Sequence, residues 1–243
     1  MGRRTMSAVS VQPFLDSSGA APVVGFLHTP AGGADGRALG LALDRLALNG
    51  LVLTHGAGSN CQTQLLVGLA EAFAAAGVTV LRCDLPFRQE RPKGPPRGSA
   101  ERDQAGLRAA VEALRRRALP GSSCRIALGG HSFGGRQATL LAAAEPGLAE
   151  ALLLLSYPLH PPRRPEQLRT AHFAQLRTPA LFVHGTRDGF GTFAEMEAAL
   201  ALIPARTQLL TMEGAGHELL RRANQGVLPQ QIVAALRAFL SEG

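Results

Sequence analysis

The chain has 243 residues, 25 Lys and Arg against 18 Asp and Glu for a formal net charge of +7, and 46% hydrophobic residues. That length buries a sizeable core in one α/β domain, and no apolar run approaches the length that would cross a bilayer. The 3 cysteines (Cys61, Cys83 and Cys124) are too scattered for a disulfide framework or a metal site, so a reducing cytoplasm is the expected compartment.

Nearly all the positive charge is arginine; Lys93 is the single lysine. An anionic partner is one reading of it, the arginine- and alanine-rich composition of a GC-biased genome the other. The arginines are dispersed and lack interleaved aromatics, which favours composition over a nucleic-acid surface. No continuous apolar core follows Gly2-Arg3-Arg4, so no secretory leader is expected. Met6 stands where N-myristoylation needs Ser or Thr.

Residues 1–20 are small and polar and read as a loose terminus or an edge strand. Residues 21–243 read as a single domain. Val23 to His28 is a short strand, followed by a Gly-rich turn from Pro30 to Gly36. Arg37 to Asn49 suits either a helix or a further antiparallel strand. Gly50 to Thr54 is a continuous apolar run, as in a strand buried on both faces. It empties into His55-Gly56-Ala57-Gly58-Ser59-Asn60. A helix is expected from Thr63 to Ala76, with Leu65, Leu66, Leu69 and Phe73 on one face and Gly77 as its cap.

Val78 to Arg82 reads as the next strand, and Arg88 to Gly98, rich in proline and cations, as a loop bordering the site. A long helix from Ser99 to Arg117 follows, with Leu107, Val111 and Leu114 as its inward stripe. Strands are expected at Arg125 to Gly130, Ala151 to Ser156, Pro179 to His184 and Thr207 to Met212. Helical pieces are expected at Pro165 to Ala174, Thr192 to Leu200 and Pro229 to Leu240. This alternation predicts an α/β fold with a mostly parallel central sheet, helices on both faces and no separate lid domain.

The sharpest local pattern is Arg125-Ile126-Ala127-Leu128-Gly129-Gly130-His131-Ser132-Phe133-Gly134-Gly135-Arg136. An apolar strand runs into Gly-x-Ser-x-Gly and straight out into a helix-forming run, which reads as a nucleophile elbow. The turn is tight enough that glycine is needed at 130 and 134. With 11 Ser and 28 Gly in the chain, the pentapeptide alone is a weak signal, and its weight comes from what surrounds it.

A serine hydroxyl needs a base beside it and a third group to orient that base. Ser132, Asp188 and His217 each follow an expected strand, in the chain order of an α/β-hydrolase triad. Among rival histidines, His184 lies inside a strand and reads as structural, and His55 as shaping the loop after it. His131 points to the sheet side of the elbow. Asp84, Glu213 and Glu218 compete with Asp188 for the acid; Asp84 ends a strand that precedes the nucleophile's, and the two glutamates are too near His217 in sequence.

Acyl transfer also needs donors for a developing oxyanion. The backbone amides of Phe133 and Ala57 are the candidates. His55, Gly56, Gly58, His131, Tyr157 and His160 are candidate substrate contacts. Arg163, Arg164 and Arg169, with the Arg88–Gly98 loop, read either as solvated cations or as a preference for acidic substrates. Phosphate binding by the Gly-rich loop is disfavoured because no Gly-Lys-Ser/Thr follows it.

These segments resemble the α/β-hydrolase superfamily from about residue 50 onward. More narrowly, the chain looks like the dienelactone-hydrolase-like branch that includes testis-expressed-protein-type hydrolases. Leu53-Thr54-His55-Gly56-Ala57-Gly58, Tyr157-Pro158-Leu159-His160-Pro161-Pro162, Leu168-Arg169-Thr170 and Val183-His184-Gly185-Thr186-Arg187-Asp188 carry the likeness beside the elbow. The resemblance implies serine-hydrolase machinery without a cofactor or metal. Ser132 stands where true dienelactone hydrolases carry a nucleophilic Cys. His131 and Phe133 stand where members of the branch often carry Lys and Met.

The expected function is hydrolysis of small esters or related acyl compounds, with a small-molecule acyl substrate and neither nucleic acid nor membrane as partner. The alternative is a non-catalytic binding or scaffold protein, a role the resemblance also allows.

Overall fold

Along the central strands, odd and even side chains go to different layers. Val52, Leu128, Leu152, Leu154 and Phe182 join one hydrophobic core, whereas Leu51, Leu53, Ala127, Leu153, Leu155, Leu181 and Val183 join another. A strand's side chains alternate between faces, so these runs of consecutive apolar residues require cover on both sides. The computed structural model, which describes residues 9–31, 48–118 and 124–242, shows helices supplying it.

Among the described residues, eight strands form one sheet in the order β1-β2-β4-β3-β5-β6-β7-β8. They are β1 (Ser10–Asp16), β2 (Val23–Thr29), β3 (Gly50–Thr54), β4 (Thr79–Cys83), β5 (Ile126–His131), β6 (Ala151–Leu155), β7 (Ala180–Gly185) and β8 (Thr207–Met212). β1 and β2 pair antiparallel, and β2 joins β4 antiparallel. All pairings from β4 to β8 are parallel. Helices α1 (Gln64–Ala75) and α6 (Leu228–Ser241) cover one face. On the other lie α3 (Ala100–Ala118), α4 (Phe133–Ala144) and α5 (Phe193–Leu200). This is the α/β-hydrolase fold, and no separate lid domain occurs among the described residues.

Helix ends follow local chemistry. After α1, Gly77 takes a φ of +94°. Its N–H reaches the Ala74 carbonyl at 3.0 Å and the Val78 N–H that of Phe73 at 3.0 Å, the paired bonds of a Schellman stop. Thr192 and Glu195 form a reciprocal capping box on α5.

Two expectations need correction. Arg88–Gly98 is not a loop throughout, because Pro86–Glu90 forms a short helix, α2. Pro86 sits in its first turn, where a fixed φ and a missing N–H cost nothing, and only residues 91–99 are irregular. Pro165 to Ala174 is not helical either. Turns fill this stretch, and the single helical turn there is 3-10, at Phe173–Gln175. The Arg169 amide bonds the Leu159 carbonyl at 2.8 Å instead of that of residue 165, so the i to i−4 ladder of a helix cannot form there. Of the segments left open, Pro30–Gly36 and Arg37–Asn49 fall largely on residues 32–47, outside the described residues.

The strand order reverses at β3, which has β4 on one side and β5 on the other. In open α/β sheets ligands bind beyond the carboxyl ends of strands at such a point. The loop after β3 and the turn after β5 meet there. β5 is buried along its whole length, whereas β8, at the sheet's far edge, is only partly covered.

Buried histidines make stability depend on pH. His28 accepts the Arg82 Nε–H at 2.8 Å, and His172 donates to Thr139 Oγ1 at 2.8 Å. Burial, then the Arg82 charge, pushes His28 from 6.5 to about 4. Burial, then the Arg136 charge, does the same to His172. Burial moves Asp103 the other way, from 3.8 to about 6. Between about pH 6.5 and 4 the unfolded chain therefore binds extra protons at two histidines, while the folded chain binds one extra at Asp103. The histidines outweigh the aspartate, so stability is fullest above 6.5 and falls as the pH drops toward 4. Urea midpoints measured across this window are expected to decline, and less steeply in His28→Gln and in His172→Gln. Unaltered slopes in both variants would remove the histidines from the explanation.

Candidate active site

Ser132 sits between the last residue of β5 and the first of α4, with φ 50° and ψ −114°. A non-glycine residue held there stores roughly 1–3 kcal/mol of strain, so the surroundings must impose it. They do so by close backbone approach. A Cβ on Gly130 would come within 2.7 Å of the Thr54 carbonyl oxygen, and one on Gly134 within 2.6 Å of the His55 carbonyl oxygen. The Gly134 N–H donates to that His55 carbonyl at 3.1 Å, and the Ser132 N–H to Leu155 at 2.8 Å. β3 and the elbow are thus joined directly, with the hydroxyl thrust outward.

Two further strand ends meet this hydroxyl. Ser132 Oγ lies 2.8 Å from His217 Nε2. His217 Nδ1 lies 2.8 and 3.0 Å from the two Asp188 carboxylate oxygens. Nδ1–H therefore donates to Asp188, leaving Nε2 free to accept the serine proton. Burial alone would raise the Asp188 carboxyl. Hydrogen bonding and charge from His217, the Phe190 amide and the His184 charge together hold it below its ordinary value, so it stays ionised. The Phe190 ring stacks on His217 at 4.1 Å, and the Phe190 N–H bonds Asp188 at 2.9 Å. One residue thereby steadies both partners.

The rival acids are engaged elsewhere. Asp84 accepts the Cys61 amide at 2.7 Å, Glu213 accepts the Thr186 hydroxyl at 3.4 Å, and Glu218 is exposed. His184, buried, donates Nε2–H to the Gly191 carbonyl at 2.7 Å; its Nδ1 has no hydrogen-bond partner and lies 3.8 Å from Asp188.

A cavity of about 370 Å³ opens over Ser132, lined by Ala57, Pro96, Phe133, Arg136, Pro158, Arg169 and Phe190. Both candidate oxyanion donors are in its wall. The Ala57 and Phe133 amides have no backbone acceptor among the described residues, and the latter opens a helix, where N–H groups are unpaired by geometry. Pro96 brings the irregular segment after α2 to the rim, but Arg91, Lys93 and Arg97 do not line the cavity, and Arg163 and Arg164 are exposed.

Most of the expected substrate contacts stand behind the wall. His55, with no exposed surface, donates Nδ1–H to the Gly56 carbonyl at 2.8 Å and accepts the Leu85 amide at 3.1 Å. Burial, the largest influence on it, holds its pKa down, and only a neutral ring can accept from Leu85. His131 donates Nε2–H to the His217 carbonyl at 2.9 Å and thus braces the backbone under His217. Gly56 is buried, and a Cβ there would press on His131 at 3.1 Å. Gly58 is exposed, and a Cβ on it would meet nothing. Tyr157 is buried with its hydroxyl on the Arg169 carbonyl at 2.6 Å. His160 donates to the Pro161 carbonyl at 2.8 Å. The rings of His55, His131, Tyr157 and His160 face inward because each hydrogen-bonds backbone of the supporting layer.

The sequence reading missed Arg88 as a structural group. Only 4% exposed, its guanidinium donates to the carbonyls of Ser59 (2.8 Å), Ala57 (2.7 Å), Gly94 (3.0 Å) and Arg91 (3.0 Å). It ties the loop after β3 to the segment after α2. Phe190, two residues beyond Asp188, and Arg136, one helical turn beyond Ser132, were also missed. Only the spacing from the motifs could have flagged them. Among the described residues no three His, Cys, Asp or Glu side chains converge as a metal site would require, and no helix is long and apolar enough to cross a membrane.

Solved structures share this architecture. A dienelactone hydrolase from Anabaena variabilis superposes with a TM-score of 0.68 at 20% identity, over 92% of this chain and 94% of its own. Est1E from Butyrivibrio proteoclasticus gives 0.69 at 15%, over 94% and 99%. An α/β serine hydrolase without lid from Xanthomonas campestris gives 0.65 at 17%, over 96% and 95%. At these identities the likeness speaks for the fold. The profile of a family described as the alpha/beta hydrolase domain matches residues 48–242. From just before β3 to the end of α6, this chain belongs to the alpha/beta hydrolase family.

Proposed function

We propose that the protein is a serine hydrolase of small esters or related acyl compounds, working through a Ser132-His217-Asp188 triad and an acyl-enzyme. The observation that carries this is the unbroken hydrogen-bond chain from Asp188 through His217 to a hydroxyl that opens onto a cavity.

In this reading His217 Nε2 takes the proton as Ser132 Oγ attacks the acyl carbonyl. Asp188, ionised, stabilises the imidazolium that results. The amides of Ala57 and Phe133 receive the negative charge on the carbonyl oxygen, at the positive end of α4. His217 then protonates the departing alcohol. A water, deprotonated in turn by His217, attacks the ester carbon, and Ser132 leaves with its proton restored. The apolar part of the wall (Pro96, Phe133, Pro158 and Phe190) and a volume of about 370 Å³ suit short acyl groups.

Fluorophosphonate probes are expected to label the wild type and not Ser132→Ala. Turnover of 4-nitrophenyl esters should fall by roughly 10⁶-fold in Ser132→Ala and in His217→Ala. Equal labelling of wild type and Ser132→Ala would instead favour a binding protein that keeps the fold. A marked preference for long over short acyl chains would contradict the size argument.

Arg88 is assigned as a positioning residue for the Ala57 amide. In Arg88→Ala, kcat on a short ester is expected to drop roughly tenfold or more, with a smaller change in KM, because the oxyanion donor acts on the transition state. A purely structural role would lower the melting temperature and leave kcat, measured well below melting, unchanged.

A further inference from the structure

Two cations face the cavity without a counter-charge. Arg136, one helical turn after Ser132, has its N–H on the Ser132 carbonyl at 3.0 Å, so its side chain rises on the nucleophile's side of α4. Its Nε is enclosed and has no hydrogen-bond partner. Arg169, from the segment after β6, lines the same cavity and uses its guanidinium once, from Nη1 to the Pro158 carbonyl at 3.3 Å. Neither makes an ion pair among the described residues. Every buried guanidinium donor left unpaired costs free energy, and two like charges sharing one cavity add to the cost.

The fold maintains this arrangement with effort. The Arg169 N–H is fixed to the Leu159 carbonyl at 2.8 Å, and its carbonyl accepts the Tyr157 hydroxyl at 2.6 Å. Tyr157 is itself packed between Phe173 and Phe182. The Tyr157-Pro158-Leu159 block therefore aims Arg169 at the cavity. The two charges feel each other: burial first, then Arg136, lowers the pKa of Arg169. Burial and the Arg136 charge also keep the neighbouring His172 neutral near pH 7. An anion between the two guanidiniums would satisfy their donors and remove the repulsion, and the planar fork of arginine matches the two oxygens of a carboxylate.

We infer that Arg136 and Arg169 form a carboxylate subsite, so that the preferred substrates are small esters carrying a second, anionic carboxylate a few bonds from the scissile carbonyl. This rests on the serine-hydrolase reading for its catalytic half alone. The experiment compares mono-4-nitrophenyl adipate with its neutral methyl ester. The wild type is expected to favour the carboxylate by roughly 10- to 100-fold in kcat/KM, mainly through KM, and to lose part of that preference at high salt. The ratio should fall roughly tenfold in Arg136→Gln and in Arg169→Gln, fall less in Arg136→Lys, and invert in Arg136→Glu. Adipate binding to Ser132→Ala, followed by calorimetry, needs no turnover and should be lost when Arg136→Glu is added. A wild-type ratio near one, or a ratio unmoved by both glutamine variants, would overturn the subsite. If neither ester is cleaved and fluorophosphonate fails to label, the hydrolase reading falls, and adipate calorimetry still decides the subsite.

Discussion

Three stretches of backbone are pressed together where β3 and β5 end and α4 begins, and there is no room between them for side chains at Gly130 and Gly134. The amide of Gly134 is bonded to the carbonyl of His55, so the turn after β5 and the loop after β3 cannot move independently. This contact holds Ser132 at a positive φ. It also sets the first helical N–H of α4 beside the loop that carries Ala57. A single close approach therefore fixes both the outward hydroxyl and the two amides on either side of it. The strain at one residue is small against the parallel ladders β3–β5 and β5–β6 that flank it.

Around that contact stands a layer of polar groups that never meets the cavity. Arg88 gathers four carbonyls, His55 links the Gly56 carbonyl to the Leu85 amide, Asp84 holds the Cys61 amide, and His131 props the backbone of His217. Loops cannot satisfy their buried backbone groups with regular ladders, so side chains do it instead. Low local dielectric strengthens such bonds when complete and makes any gap expensive. The loops at this sheet edge are therefore specific in shape even though they have no regular structure.

What could be read from the amino acids alone follows the range of the forces involved. The elbow is a local affair of glycines, strand and helix within a dozen residues, and it was legible from Arg125 to Arg136. The buried strands were legible because residues such as Leu152 to Leu155 have no polar face to turn outward. The facing direction of Tyr157, His160, His131 and His55 was not legible. All lie at strand ends near the site, and only the position of a distant carbonyl or amide decides whether each ring looks into the cavity or away from it. Arg88 was read with its proline-rich surroundings either as a solvated cation or as a contact for acidic substrates, and not as a structural group, because its four acceptors lie 3 to 31 residues away. Pro92, Pro95 and Pro96 marked the same stretch as loop, and the short helix that Pro86 opens just before them was not read.

Finally, the two halves of the proposed triad sit on very unequal supports. The serine grows from β5, covered along its entire length, with paired strands on both sides. The imidazole hangs from the loop after β8, a partly exposed border strand with one neighbour among the described residues. Protein regions with less cover open at lower free energy than the global transition. Warming or mild denaturant should therefore peel His217 away while the strand that ends at Ser132 is still intact, and in the proposed hydrolase loss of turnover would run ahead of loss of structure.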